Sequence, residues 1–349
     1  MIPKRILVAM SGGVDSSTTA ALLLKQGMKV EGVTLKLTSG LCCDIGSAQE
    51  ICKSLRIPHR TIDMREDFSQ SVIENFISEY RHGRTPNPCI RCNEIIKFGL
   101  LLKYSRMNNF DFVATGHYAR IEYDPLSSRF LLKRGIDPIK DQSYFLYRLS
   151  QEQLQYTLFP LGEMQKTDVR SLAKELGLPD AERPESQEIC FVPNNNYRAF
   201  FKEHAPEALQ PGDLVLSDGT VVGRHEGVAF FTIGQRRKVG YAAGERVYVV
   251  KIDPVTRRIV LGKISELRTT EMVVSNIHFI AFDKLWTRMN ITVKIRYRTP
   301  FIPAVIEPLS TNKVRVIFKK AVLGVCPGQA AVFYEGDTII GGGIIEIER

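Results

Sequence analysis

The chain has 349 residues, 44% hydrophobic and 24% charged, a balance that excludes a mainly disordered or collagen-like protein. At roughly 150 residues per domain, the length points to two to three domains. Lys and Arg number 47 against 38 Asp and Glu, a net charge of +9, which suits a polyanionic partner without identifying one. No apolar run is long enough to cross a bilayer, so no membrane partner is expected. The opening Met1-Ile2-Pro3-Lys4-Arg5 leads into a short apolar run that ends at Ser11-Gly12-Gly13, too short for a secretory signal. The expected address is the cytoplasm. There, the seven cysteines are thiols, metal ligands or catalysts rather than a disulfide framework.

The first half alternates strand and helix signals. Arg5 to Ala9 reads as a buried strand, and Ser16 to Gln26 as an Ala- and Leu-rich helix closed by Gly27. Val30 to Leu37 reads as a strand, Ser47 to Leu55 as a helix, Arg60 to Asp63 as a strand and Phe68 to Tyr80 as a helix. Asn93 to Tyr104 is helical, and Phe112 to Thr115 is a strand before Gly116. Such alternation implies a parallel sheet with right-handed crossovers. A short helix is expected from Tyr197 to His204. Beyond Pro211-Gly212 the pattern becomes short alternating runs: Val247 to Ile252, Met289 to Arg296, Lys313 to Phe318 and Ala330 to Tyr334. These predict β-rich units. The expected fold is therefore α/β: an N-terminal parallel-sheet domain (1–204), a small central β-rich domain (205–268) and a C-terminal β-barrel-like domain (269–349).

Met10-Ser11-Gly12-Gly13-Val14-Asp15-Ser16-Ser17 falls between the first strand and the first helix. Backbone N–H groups and the helix dipole favour an anion there, and glycines let phosphate approach the backbone. The run lacks the Gly-Lys-Ser/Thr of a Walker loop and the spaced glycines of the dinucleotide fingerprint. An ordinary tight turn with serine caps is the plain alternative. The full Ser-Gly-Gly-Val-Asp-Ser string favours phosphate binding. It resembles the pyrophosphatase loop of the ATP-pyrophosphatase superfamily, whose members cleave ATP to AMP and pyrophosphate and activate an acceptor oxygen as an adenylate. The resemblance implies that Ala9, Met10, Ser11, Gly12, Gly13, Val14, Asp15 and Ser16 line the ATP site, with Mg²⁺ balancing charge. Leu35 would flank adenine, and Gly116 lies at a strand end on the ligand-binding carboxyl edge.

Thr85-Pro86-Asn87-Pro88-Cys89-Ile90-Arg91-Cys92-Asn93 reads as an extended stretch leading into a helix at Asn93. That places Cys92 near a helix N-terminus, with Arg91 beside it and Lys97 one turn on, features that favour thiolate. A C-x-x-C can be a redox pair, half of a zinc site or two ligands of an iron–sulfur cluster. No second C-x-x-C with zinc spacing follows. Cys190, alone, reads as a buried structural cysteine. With Cys89 and Cys92 it becomes a third thiol. Cys52 and Cys326 read as core, Cys42 and Cys43 receive no role, and Glu185 and Glu188 read as surface charges.

Further motifs follow in order: Ala114-Thr115-Gly116-His117-Tyr118, Lys140-Asp141-Gln142-Ser143-Tyr144, Ile189-Cys190-Phe191, Phe231 to Arg237, Arg296-Tyr297-Arg298, and Pro327 to Tyr334. With the glycine loop and the Cys92 segment, they make nearly the whole chain resemble the tRNA-specific 2-thiouridylase family. The resemblance implies an ATP-dependent tRNA sulfurtransferase. ATP adenylates O2 of the wobble uridine, pyrophosphate and then AMP leave, and sulfur enters C2. A persulfide on Cys190 attacks C2, or is first released as sulfide. Cys92 resolves the persulfide, leaving a Cys92–Cys190 disulfide for reduction. A persulfide relay fed by a cysteine desulfurase supplies the sulfur.

One form of the family carries Asp where this chain has Cys89, so no carboxylate role carries over. Cys89, Cys92 and Cys190 are also the ligand set for a [4Fe–4S] cluster with one open iron, an alternative sulfur donor. By the same resemblance Asn87, Pro88 and Cys89 lie against the target base. His117, Lys140, Asp141, Gln142, Arg296, Tyr297, Arg298 and Gln329 meet tRNA. Gln235 to Lys238 is a weaker candidate phosphate contact. Two rivals remain: an amidotransferase-linked ligase sharing the glycine loop, and a non-catalytic RNA-binding protein with a degenerate nucleotide fold.

Overall fold

The structure, a computed structural model, describes residues 3–39, 44–179, 189–192, 194, 196–241, 244 and 246–346. Cys42, Cys43, Glu185 and Glu188 lie outside the described residues.

Strand β1 (Arg5–Ala9) is the centre of the first sheet, and its Ile6, Leu7 and Val8 have no exposure at all. A strand covered on both faces needs such a continuous apolar run. Around it stand β2 (Lys29–Lys36), β3 (His59–Asp63), β4 (Phe112–Ala114) and a short later strand at Thr157–Leu158, all parallel, in the order β3-β2-β1-β4 and then the short strand. The helix Val14–Lys25 packs its Ala20, Ala21 and Leu23 inward. The helix Ile45–Ser54 is capped by Asp44, whose Oδ1 accepts from Ser47 N–H at 2.9 Å.

Two helices differ from expectation. The segment expected as one helix over 68–80 begins earlier, at Arg65, and passes through a π-helical turn at Ser69–Ile73 before Glu74–Arg81. The helix expected from Asn93 begins at Pro88. Asn87 is its N-cap, Pro88 is in its first turn, and a π-helical run Cys92–Leu100 leads into Leu101–Met107. Asn followed by Pro is a helix-start signature that an extended reading of the prolines overlooks.

The chain between β4 and Thr157–Leu158 forms a hairpin, β5 (Ala119–Asp124) and β6 (Arg129–Arg134), that leaves the parallel sheet. It joins the edge of the C-terminal sheet, where Thr338 pairs with Lys133. That sheet contains Arg268–Phe279, Met289–Lys294, Ile302–Ser310, Lys313–Leu323, Ala330–Glu335 and Thr338–Ile345. Its first strand pairs with its last, which closes a barrel. The core includes Val274, Val293, Ile306, Val316 and Phe333.

Between the two lies a four-stranded sheet built from Gly212–Leu216, Val221–His225, Tyr248–Asp253 and Arg258–Gly262 around Leu214, Phe231, Val249 and Leu261. The architecture is thus α/β with a small central β domain and a closed C-terminal barrel. Among the described residues, no helix is long and apolar enough to cross a membrane.

Candidate functional site

The glycine loop sits where β1 ends. Gly12 has φ +79, and a Cβ there would lie 2.7 Å from the Asp44 carbonyl oxygen, so both backbone and space require glycine. Gly13 precedes the helix with no side-chain cap. The hydroxyls of Ser16 and Ser17 donate to the Gly13 carbonyl at 2.8 and 3.1 Å, and Ser11 N–H donates to Ser16 Oγ at 3.2 Å. The serines thus shape the loop. Met10 is buried, and its carbonyl accepts from the Thr34 hydroxyl at 2.9 Å. Leu35 is buried too, packed in the core with Val33 and Phe68, and Ala9 packs against that cluster.

Gly116 follows β4 and fits against the loop. A Cβ on it would lie 2.8 Å from the Asp15 carbonyl carbon and 2.9 Å from Asp15 Cβ. Asp15 receives two donors that sequence reasoning missed: Lys166 Nζ at 2.6 Å and Tyr118 Oη at 2.7 Å. The separation of 151 positions between Asp15 and Lys166 leaves no local signal. His117, next to Gly116, shares a 2.7 Å hydrogen bond with Thr115 Oγ1 and packs between Phe98 and Phe159. Burial, with Lys97 nearby, holds its pKa well below the usual imidazole range. The ring is therefore neutral at pH 7.

Lys97 also acts on Cys89. Burial raises the Cys89 pKa, Lys97 opposes that, and the Cys190 thiol raises it further. Cys89 is exposed. Cys190 is likewise exposed, in a turn closed by the Val192 N–H to Ile189 carbonyl bond at 2.9 Å. Phe191 anchors that turn against Phe68, Phe76 and Phe200 at ring separations of 5.7, 5.1 and 5.5 Å.

Cys92, by contrast, is buried in the same core and lies a full turn inside its helix. The helix-start argument for thiolate therefore applies to Cys89, not Cys92. The Nε of Arg91 donates to the Ser71 carbonyl at 3.0 Å. Cys52 and Cys326 are buried, and burial pushes Cys52 up to about 11. Among the described residues no three His, Cys, Asp or Glu side chains converge as a metal site. Cys89, Cys92 and Cys190 as placed therefore do not form a ready cluster-binding trio.

Of the residues expected to face RNA, several have protein partners. Asn87 Oδ1 accepts from Ile90 N–H at 3.4 Å, and Pro88 is buried. Asp141 is 5% exposed and accepts from Gly135 and Ser143 N–H groups and from Arg134. Gln142 Oε1 accepts from Tyr118 N–H at 3.1 Å. Arg296 donates to the Ile233 carbonyl at 3.1 Å, tying the barrel to the central domain. Tyr297 packs on Phe145 at 4.5 Å. Gln329 Nε2 donates to the carbonyls of Thr85 and Pro86 at 2.8 and 3.3 Å, so the barrel braces the loop that carries Asn87. Arg298, Arg236, Arg237 and Lys238 are exposed, and Lys140 is half-buried.

The fold and site define a parallel α/β domain with a glycine loop after its first strand and exposed thiols at Cys89 and Cys190, followed by two appended β domains. Family models match in the same order: a tRNA methyl transferase HUP domain over residues 4–194, a tRNA methyl transferase PRC-barrel domain over 198–263, and an aminomethyltransferase beta-barrel domain over 269–345. Curated relatives match end to end. The tRNA-specific 2-thiouridylase of Carboxydothermus hydrogenoformans is 46% identical over 356 residues, covering 98% of each chain. That of Desulforamulus reducens is 45% identical over 99% of this chain and 98% of its own. That of Acetivibrio thermocellus is 44% identical over 99% of this chain and all of its own. The chain belongs to the tRNA-specific 2-thiouridylase family.

Proposed function

We propose that the protein is an ATP-dependent tRNA 2-thiouridylase. The observation that carries this reading is the close approach of Gly116 to Asp15 in the nucleotide loop, with electrostatic influence running on from there to the thiols. Asp15 of the loop packs on Gly116; His117 next to it feels Lys97; Lys97 acts on Cys89; and Cys89 interacts with Cys190. An adenylating site and a sulfur-bearing site in one domain suit a reaction that first activates an oxygen and then replaces it.

Residues 9–16 and Gly116 bind ATP. The uracil O2 attacks the α-phosphate, and pyrophosphate leaves. The terminal sulfur of a Cys190 persulfide attacks C2 and AMP departs with the oxygen. Cys92 thiolate then attacks Cys190 Sγ, releasing thiouridine and leaving a Cys92–Cys190 disulfide that takes two electrons from an external dithiol. Cys92 is buried, so this last step needs the turn at 189–192 to shift. A persulfide relay from a cysteine desulfurase supplies the sulfur, in the cytoplasm. Magnesium would be held mainly by the ATP phosphates, with Asp15 the loop's own carboxylate. The half-buried Lys140 and the exposed Arg298, Arg236 and Arg237 hold tRNA phosphates. Affinity for tRNA should therefore fall steeply with salt, and a flat dependence contradicts these contacts.

A methyl-transfer reading, suggested by the wording of the family models, leaves the exposed Cys190 thiol without a task. The deciding experiment supplies unmodified tRNA, ATP and a persulfide donor and follows 2-thiouridine, AMP and pyrophosphate by mass spectrometry. Equal amounts of the three support the reading. Pyrophosphate release that ignores tRNA returns the protein to the ligase class. Mapping the disulfide after one turnover shows whether Cys92 or Cys89 pairs with Cys190. The cluster alternative is separated by iron analysis of anaerobically purified protein: about four irons per chain, lost in Cys89→Ala, would support it.

A further inference from the structure

Asp15 puts a carboxylate into a loop that is to receive a polyanion. Lys166 Nζ at 2.6 Å and Tyr118 Oη at 2.7 Å both donate to its Oδ1. The Lys166 side chain is 9% exposed and that of Asp15 33%. A nearly buried ammonium needs a close counter-charge to offset its lost hydration, so this pair is held rather than incidental.

Both donors lead to the same turn. The Tyr118 N–H donates to Gln142 Oε1 at 3.1 Å, and its carbonyl accepts from Gln142 N–H at 2.9 Å. The Lys166 N–H donates to Asp137 Oδ2 at 3.0 Å. The other Asp137 oxygen accepts from the N–H groups of Ile139 and Lys140 at 2.9 and 3.1 Å. The Asp137 carbonyl accepts from Asp141 N–H at 2.9 Å. Residues 137–142 are thus tied by two separate routes to one carboxylate in the nucleotide loop.

We propose that Lys166 and Tyr118 are positioning residues that set Asp15 for the ATP phosphates and couple that setting to RNA held at Lys140. The inference rests on the function proposed above, with ATP at residues 9–16 and tRNA at 140–142. RNA contact at Lys140 bears on the turn through Asp137 and Gln142, and both of these hold the donors to Asp15. A carboxylate whose charge is offset by the Lys166 ammonium and whose orientation is fixed by the Tyr118 hydroxyl tolerates phosphate; one that loses these donors repels it. ATP binding is therefore strongest when RNA is seated. By linkage, ATP tightens RNA binding by the same factor.

The test measures the dissociation constant of a non-hydrolysable ATP analogue with and without unmodified tRNA. In the unaltered protein, tRNA should tighten it by about fivefold or more, the usual lower range of allosteric coupling. Tyr118→Phe removes only the hydroxyl, and Lys166→Met only the charge. Each should reduce the coupling to less than about twofold, with tRNA affinity in the absence of nucleotide changed by less than about twofold. An undiminished factor in folded Tyr118→Phe overturns the proposal, as does absence of coupling in the unaltered protein. If Lys166→Met does not fold, Tyr118→Phe decides. Thiolation by the unaltered protein is scored separately: its loss sinks the functional reading, whereas its presence without coupling sinks only this inference.

Discussion

Replacing Phe191 with Ala tests whether the Cys190 turn is held by its neighbour. The Phe191 ring is 8% exposed and meets Phe68, Phe76 and Phe200 edge-on or tilted. Truncating a packed Phe to Ala costs about 3–5 kcal/mol in a core. The turn from Ile189 to Val192 is closed by the Val192 N–H to Ile189 carbonyl bond and belongs to no strand or helix, so the cost of the truncation falls on the docked population of this turn. At a factor of ten per 1.4 kcal/mol, a loss of about 3 kcal/mol is roughly a hundredfold. Single-turnover thiolation with saturating ATP and tRNA should fall by about a hundredfold or more in Phe191→Ala, while ATP binding changes by less than about twofold. Phe191→Leu keeps much of the apolar contact and should fall by no more than about tenfold. Thiolation by Phe191→Ala at or near the unaltered rate would refute the anchoring argument, and so would an equal loss of ATP binding.

The thiols should also separate chemically. Cys89 and Cys190 are exposed while Cys52 and Cys326 are buried; brief alkylation followed by peptide mass spectrometry should label the first pair and spare the second. Because Lys97 opposes the upward shift of Cys89, Lys97→Met should raise that pKa further and slow Cys89 alkylation at pH 8. Gly116→Ala places a Cβ 2.8 Å from Asp15 backbone and should abolish ATP binding in a protein that still melts cooperatively. Gly328→Ala, at φ +88 and with its Cβ 2.8 Å from Thr85 N, should cost at least about 1–2 kcal/mol in denaturant unfolding from the left-handed backbone alone. His117 has a folded pKa below its unfolded value. Its neutral form is favoured by folding, so stability is full above about pH 6.5 and is lost below it, by up to about 1.4 kcal/mol per pH unit. His117→Gln should flatten the fall between pH 6.5 and 5.5 in urea titrations; an identical slope would refute the buried-histidine argument.

The parallel sheet was legible because its physics is local. Ile6, Leu7 and Val8 are a continuous apolar run, and only a strand covered on both faces needs one. The glycine loop was legible for the same reason, since a sharp strand-to-helix turn at Gly12 demands a residue tolerant of positive φ. The family was legible because its motifs recur in order along the whole chain. Tertiary structure alone decided the partners of Asp15, because Lys166 and Tyr118 are remote in sequence and meet it only after the sheet forms. It also decided that Ala119 to Arg134 leaves the first sheet for the barrel, since sheet-edge pairing depends on which edge is near. It also moved Cys92 from its expected place at the helix start into the core. Asn87 and Pro88 start the helix one turn early, which exposes Cys89 in the first turn and carries Cys92 into the core. A one-turn change in a helix start alters exposure completely while leaving the apolar pattern that sequence reasoning reads almost unchanged.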